Sequence, residues 1–287
     1  MTTVGEISQI WRYPFKSMMG ELLNEAQVTR LGLLGDRNWA ARDETRGGIG
    51  SAKKVPGLMQ CLARYPGIIS GDGVFPAEIT TPDGNSFLTD AGNAAAELSS
   101  ALGHDLTIWP LASGREDGHY RRGKPTFENP LEELRLVLGL EPGEPLPDLS
   151  GFPRQAREFA TPPGAYYDAF PIHLITTAGL NKLKLLLPKS QIEARRFRPT
   201  LLVDTGKSTE FDDENWIGKR LRMGTVVIRV ERKCPRCVMT TLASANLGHD
   251  TRILRALVQH AAHNFGTYAT VVYPGTIARG DTVEVLR

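Results

Sequence analysis

The sequence predicts a mainly β (α+β) protein, barrel-like and built in two parts, on three observations. Short β-prone segments separated by turn signals recur from one end of the chain to the other. Helical patterns are few. An irregular stretch rich in glycine, proline and charge divides the β-prone segments into two groups.

In the first group, residues 1–111, strands are expected at EISQIWRYPFKS, NWAARD, AEITTPDGNSFL and DLTIWPL, with Asp83-Gly84 as a hairpin turn. One helix interrupts them, NAAAELSSAL, with Asn93 as its N-cap and Gly103 just past its end. Residues 112–165 contain SGREDGHYRRGKP and LEPGEPLPDLSGFPRQ and read as an irregular connecting region around one short helical stretch, NPLEELRLVLGL. In the second group, residues 166–287, FPIHLITTAGLNKLKLLLP reads as a buried strand running into a helix. RFRPTLLVD and RMGTVVIRVERKC read as strands, and DTRILRALVQHAAHNF as a helix. TYATVVYPGTIARGDTVEVLR supplies closing strands that turn at Pro274-Gly275 and Arg279-Gly280-Asp281. No internal repeat or low-complexity tract is present.

A chain of 287 residues can bury a sizeable core without disulfides or a structural metal. Hydrophobic residues at 41% and charged residues at 23% are ordinary for a globular protein. Thirty-four Lys+Arg against 32 Asp+Glu leave a net charge of +2, without the basic field that nucleic-acid binding requires, so any anion chemistry falls to local clusters. There is no 18-residue apolar run, and the first residues lack the apolar core of a signal peptide. No membrane association and a cytoplasmic location are therefore expected. Three cysteines in that setting are expected to serve reactivity or metal ligation rather than a disulfide framework.

Cys234-Pro-Arg-Cys237 permits several chemistries. As half of a zinc site it lacks partners: Cys61 is remote, no second CxxC exists, and His260 and His263 are separated by only two residues. As a redox dithiol it should open a helix, whereas it follows the strand-like TVVIRVER and precedes the β-prone VMTT. Both thiols as small buried hydrophobes is the plain alternative. YPFKS presents Lys16 beside the Ser17 hydroxyl, GDRNWA places Arg37 after a Gly-Asp turn, and ARRFRPT offers Arg195, Arg196 and Arg198. On an extended strand Arg196 and Arg198 would share one face and grip an anion together. His173, in an apolar run, reads as a core histidine. No GxGxxG, P-loop, GxSxG or HExxH motif occurs.

The order YPFKS, GLLGDRNW, RRFRPTLLVD, CPRCVMTT, FGTYATVVYPGTIARGD resembles the MOSC family, named for the C-terminal domain of molybdenum cofactor sulfurase. It is most similar to the branch with an N-terminal MOSC β-barrel domain, which includes the mitochondrial amidoxime-reducing component. The resemblance covers residues 5–110 and 165–287 and leaves the connecting region unmatched. It implies that Cys237 is the catalytic residue and the protein ligand of molybdenum, with Cys234 a bystander. It further implies a molybdenum-molybdopterin cofactor gripped by Lys16, Ser17, Arg37 and Arg198, with Thr176, Thr177, Pro235, Arg236 and Tyr268 close to it; Arg196 joins the cofactor-binding set through the strand pairing with Arg198. Relatives commonly continue Val-Asp-Pro after the paired threonines, where this chain reads LASANLGHD, and their FRPN is FRPT here. Thr200 and that missing acid are thereby placed on the substrate's approach.

The implied activity is a molybdenum-dependent oxidoreductase, independent of pyridoxal phosphate, that reduces small N-hydroxylated compounds by oxygen-atom abstraction. Three cysteines are too few for a four-thiolate cluster, and no haem or flavin motif is present. An external electron-transfer protein, of ferredoxin or cytochrome type with its reductase, is the expected partner. Two other functions stay open: a sulfur carrier or transferase using a Cys237 persulfide, and a molybdopterin-binding module without turnover.

Overall fold

In the computed structural model, which describes residues 1–152 and 158–286, the chain is mainly β with one closed seven-stranded barrel. Around the barrel run Thr2–Arg12, Leu201–Asp204, Ile172–Thr176, Asn264–Tyr273, Val226–Pro235, Arg220–Met223 and Thr282–Leu286. The first strand closes the ring, with Ile10 opposite Leu201 on one side and Thr2 opposite Val285 on the other. Neighbours are antiparallel except Ile172–Thr176 beside Leu201–Asp204, a parallel pair whose crossover contains the helix Thr177–Leu186. Alternation builds the core: in RLRM, Leu221 and Met223 point inward while Arg220 and Arg222 face out. Ile7, Ile10, Leu174, Val203, Ile228, Val230 and Val283 complete the barrel interior.

The N-terminal part forms small sheets about a second core. Trp39–Asp43 lies between Leu106–Pro110 and Gly48–Ile49, and Glu78–Thr80 between Leu62–Arg64 and Ser86–Leu88. A third sheet joins Glu25–Thr29 to Gly32–Leu33 and to Gly275–Ala278 from the far end of the chain. Phe15, Met18, Trp39, Leu58, Met59, Ile79, Leu98 and Leu106 fill this core, and Met239 enters it from the C-terminal half. Cys61 is fully buried there, and burial pushes its thiol up to about 12, so it is inert.

Most local expectations hold, and the exceptions have causes. Helix Ala94–Leu102 ends at Gly103 in the left-handed conformation, φ 60°, as the glycine signal predicts. Asn93 does not cap it: its backbone is already helical and its amide donates to Glu97 at 3.1 Å. The connecting region contains the helices Asp117–Tyr120 and Pro130–Leu138. Asn129 caps the latter, its side chain accepting from Leu131 N at 2.9 Å. Tyr120, Phe159 and Tyr166 pack on Ala40, so this region belongs to the body of the protein. The Pro153-Arg154-Gln155 end of its turn-rich stretch lies outside the described residues.

RFRPTLLVD is not one strand. Ala194–Phe197 form a 3-10 turn, Arg198 is left-handed at φ 52°, and the strand starts only at Leu201, beyond Pro199. DTRILRALVQHAAHNF is helical only over Arg252–Ala261, after which Ala262 and His263 turn left-handed and Asn264 enters the barrel. Among the described residues no helix is long and apolar enough to cross a membrane.

Candidate functional site

A pocket opens where the turn after the first strand meets the barrel. Lys16, Ser17, Arg37, Arg198, Cys237 and Tyr268 line it, with Tyr167, Asp168, Phe170, His173 and Met239 among the other wall residues. Backbone pairing fixes the N-terminal wall: Lys16 N donates to Trp39 O at 2.8 Å, and Arg37 N to Tyr13 O at 2.7 Å. Ser17, Arg37 and Arg198 have positive φ, 68°, 53° and 52°, a conformation that L side chains adopt at a cost of order 1 kcal/mol or more. Half of the six non-glycine residues in that conformation among the described residues line this one pocket. Strain gathered in this way points to a site of function.

Charge is concentrated there too. Lys16 Nζ meets Asp168 at 2.6 Å and Tyr166 O at 3.1 Å, while Lys53 Nζ meets the other Asp168 oxygen at 3.3 Å. Arg37 pairs with Asp36, and Arg198 donates to the Met18 carbonyl. Both guanidiniums lie over the Tyr13 ring, at 5.2 and 4.2 Å. Burial pulls the Lys16 ammonium down to about 8 against the attraction of Asp168, and pulls Arg198 down to about 10, with Arg37 repelling it further. Burial would raise Asp168, but Lys16 and Lys53 outweigh it and hold the carboxyl well below its usual range. Four cations thus face two carboxylates, Asp36 and Asp168, leaving a cationic excess.

The two thiols differ. Cys237 is half-buried in the pocket wall and starts a 3-10 turn, Val238–Thr241, its carbonyl accepting from Thr240 N at 3.2 Å. Cys234 is fully buried, with Arg236 Nη1 2.7 Å from its sulfur. Arg236 Nη2 donates to Phe197 O at 2.7 Å, and its Nε is buried without a partner. His173 sits 3.2 Å from Arg236, and burial together with that charge pushes it well below its usual range, so it is neutral. All three cysteines are free. Among the described residues no three His, Cys, Asp or Glu side chains gather to hold a metal ion, so the closed zinc arrangement has no ligand set.

The pocket gathers Lys16, Ser17, Arg37, Arg196, Arg198, Pro235, Arg236, Cys237 and Tyr268. Thr176 and Thr177 are elsewhere. Thr176 caps a helix, accepting from Gly179 N at 3.1 Å and donating to Asp212 at 2.6 Å, and Thr177 donates to Asp204 at 2.9 Å. Arg196 reaches the wall, but its guanidinium donates to the carbonyls of Leu242 at 3.2 Å and Gly248 at 3.0 Å; it holds the loop after Cys237 and does not pair with Arg198. Thr200 is buried, its hydroxyl accepting from His173 N at 3.1 Å, so it does not face an approaching substrate. Cys234 is no bystander structurally, since it anchors Arg236. Sequence reading missed Asp168 and Lys53. The aromatic run AYYDAFP, with one acid just before a buried strand, was the available signal for Asp168; Lys53 in SAKKVPG offers none beyond its charge.

Comparison with known proteins matches residues 162–284 to the MOSC domain and residues 4–108 to the MOSC N-terminal beta barrel domain. Mitochondrial amidoxime reducing component 2 of Bos taurus is 28% identical over 253 residues, 83% of this chain and 67% of that protein. Mitochondrial amidoxime-reducing component 1 of Mus musculus is 26% identical over 306 residues, 99% of this chain and 83% of that protein. Among solved structures, the YuaD protein of Bacillus subtilis aligns over 98% of this chain and 94% of its own, with a TM-score of 0.44 and 11% identity.

Proposed function

Because the chain belongs to the MOSC family, joining a MOSC domain to a MOSC N-terminal β-barrel domain, we propose that it is a molybdenum-cofactor oxidoreductase that reduces N-hydroxylated compounds. One observation carries this reading: the half-buried Cys237 thiol shares a pocket with the cationic cluster of Lys16, Arg37 and Arg198.

The residues present fit such a cofactor. An anionic, phosphate-bearing pterin needs a cationic excess, and a buried Arg236 Nε without a partner is a donor in want of an acceptor. Molybdenum held by pterin sulfurs needs only a single soft ligand from the protein, which a lone thiol in the wall supplies and a zinc cage would not. Cys237 would hold the metal, and Lys16, Ser17, Arg37 and Arg198 the phosphate and pterin. Pro235, Arg236 and Tyr268 line the same wall. Thr176, Thr177 and Arg196 would act only by fixing the elements around it.

When bound, the cofactor supplies two-electron oxygen-atom transfer. The overall change balances as R–NHOH + 2 e⁻ + 2 H⁺ → R–NH₂ + H₂O. The chain's own residues would bind and orient the cofactor: the buried cations would neutralise its negative charge, and neutral His173 would add none to the wall. An electron-transfer protein of ferredoxin or cytochrome type would supply the electrons, since the three cysteines of these 287 residues cannot build a four-thiolate cluster.

Purification from a host that makes the cofactor should give stoichiometric molybdenum. With a chemical reductant the protein should reduce an N-hydroxylated amidine, and with NADH or NADPH alone it should be inactive. Molybdenum-free protein carrying a persulfide on Cys237 would support sulfur transfer instead. Stoichiometric molybdenum without turnover would leave a binding module.

A further inference from the structure

The pocket has a second character besides its cationic end. Phe170 and Tyr268 stack with ring centroids 5.2 Å apart and planes 28° apart, and both line the wall. Phe152, from the connecting region, stands edge-on to both at 6.5 Å, and the Arg232 guanidinium backs its ring at 3.9 Å. Phe170 and Tyr268 are only partly buried, and both contribute to the pocket lining. Offset and edge-on aromatic contacts favour a further flat ring over an alkyl chain of equal size.

We infer that this wall makes the site selective for N-hydroxylated compounds that carry a planar aromatic ring, with Phe170 and Tyr268 as the face and Phe152 as the outer edge. The inference rests on the function proposed above and gives the connecting region a part in substrate choice. Phe170 acts on selection by contact with the substrate's ring, and Phe152, which packs edge-on behind the pair, holds that face in place.

The test compares benzamidoxime with acetamidoxime in holoenzyme carrying Phe152→Ala, Phe170→Leu or neither. Each variant should lower kcat/KM for benzamidoxime relative to that for acetamidoxime by roughly two- to tenfold, mainly through KM. An unchanged ratio between the two substrates overturns the inference. Lost molybdenum with an unchanged ratio overturns it as well, by assigning the rings to the cofactor. Saturation-transfer NMR with the products, benzamidine and acetamidine, provides a readout free of turnover. Preferential benzamidine binding that weakens in Phe170→Leu supports the wall even if the protein reduces neither oxime. Equal binding of the two amidines by the unaltered protein overturns it.

Discussion

Replacing Cys234 should be felt first at Arg236, because the buried guanidinium loses the sulfur it holds at 2.7 Å. Cys234→Ala is expected to destabilise the fold by about 1–3 kcal/mol, the cost of leaving a buried donor without its partner. Cys237→Ala should leave denaturation nearly unchanged yet abolish molybdenum binding and turnover, since it removes the proposed metal bond from a half-buried position. Urea denaturation and metal analysis of the two variants separate these effects. Equal molybdenum loss with equal stability would sink the assignment of unequal roles. Arg198→Ala should lower cofactor affinity roughly ten- to hundredfold, the value of about 1.5–3 kcal/mol for a charge-assisted bond. Undiminished molybdenum after dialysis would show that Arg198 serves only Met18 and Tyr13. The sequence made Lys16 and Ser17 visible in YPFKS, Arg37 after a Gly-Asp turn, and Arg198 within a run of arginines. It could not show that Cys234 points into Arg236, because a spacing along the chain says nothing about which side chains meet across a fold.

Two short 3-10 turns can be tested directly, one of them at the site. The 3-10 turn Ala194–Phe197 sends Arg196 to the 240–248 loop and, one residue past its end, Arg198 to the pocket. Arg196→Leu should cost about 1–3 kcal/mol by removing a buried guanidinium from the carbonyls of Leu242 and Gly248, with cofactor retention falling because the loop that follows Cys237 is freed. Loss of stability with cofactor retention intact would separate the loop from the site. The 3-10 turn Asp212–Trp216 buries Asp213, whose carboxyl is raised to about 7 by burial and by Asp212 and Glu214 beside it. Between the unfolded value of 3.8 and about 7 the folded chain keeps a proton that the unfolded chain has released, so stability falls as pH rises through that window. Asp213→Asn should therefore change little near pH 4 and stabilise by up to a few kcal/mol near pH 8. Denaturation at both values decides, and an equal effect at each would show that Asp213 is not protonated in the folded chain. Local chemistry made a helix end legible at Gly103. The break at Arg198-Pro199 was hidden because RFRPTLLVD alternates well enough to pass for a strand.

The two-part reading of the chain describes its composition better than its hydrogen bonding. Strand Thr2–Arg12 falls in the first group of segments, yet it closes a barrel whose other six strands all lie between Ile172 and Leu286. Gly275–Ala278 makes the reverse exchange, pairing with Glu25–Thr29. Neither pairing could be read in advance, because period-two alternation reports which face of a strand is buried and is silent on its neighbour. The barrel is therefore expected to depend on the start of the chain. A fragment of residues 166–287 lacks the strand between Leu201–Asp204 and Thr282–Leu286, which leaves two open edges and exposes Ile172, Leu174 and Val283. That fragment should be unfolded or aggregated by circular dichroism and size exclusion. Adding residues 1–23 in trans as a peptide, which restores the closing strand and its Glu21–Leu23 hairpin partner, should recover cooperative unfolding. Cooperative folding of the fragment alone would show that the second group is self-sufficient and that barrel closure by the first strand is dispensable. The pocket depends on the same exchange, since Lys16 and Ser17 are carried on the turn that leaves this strand and Cys237 on the barrel it completes.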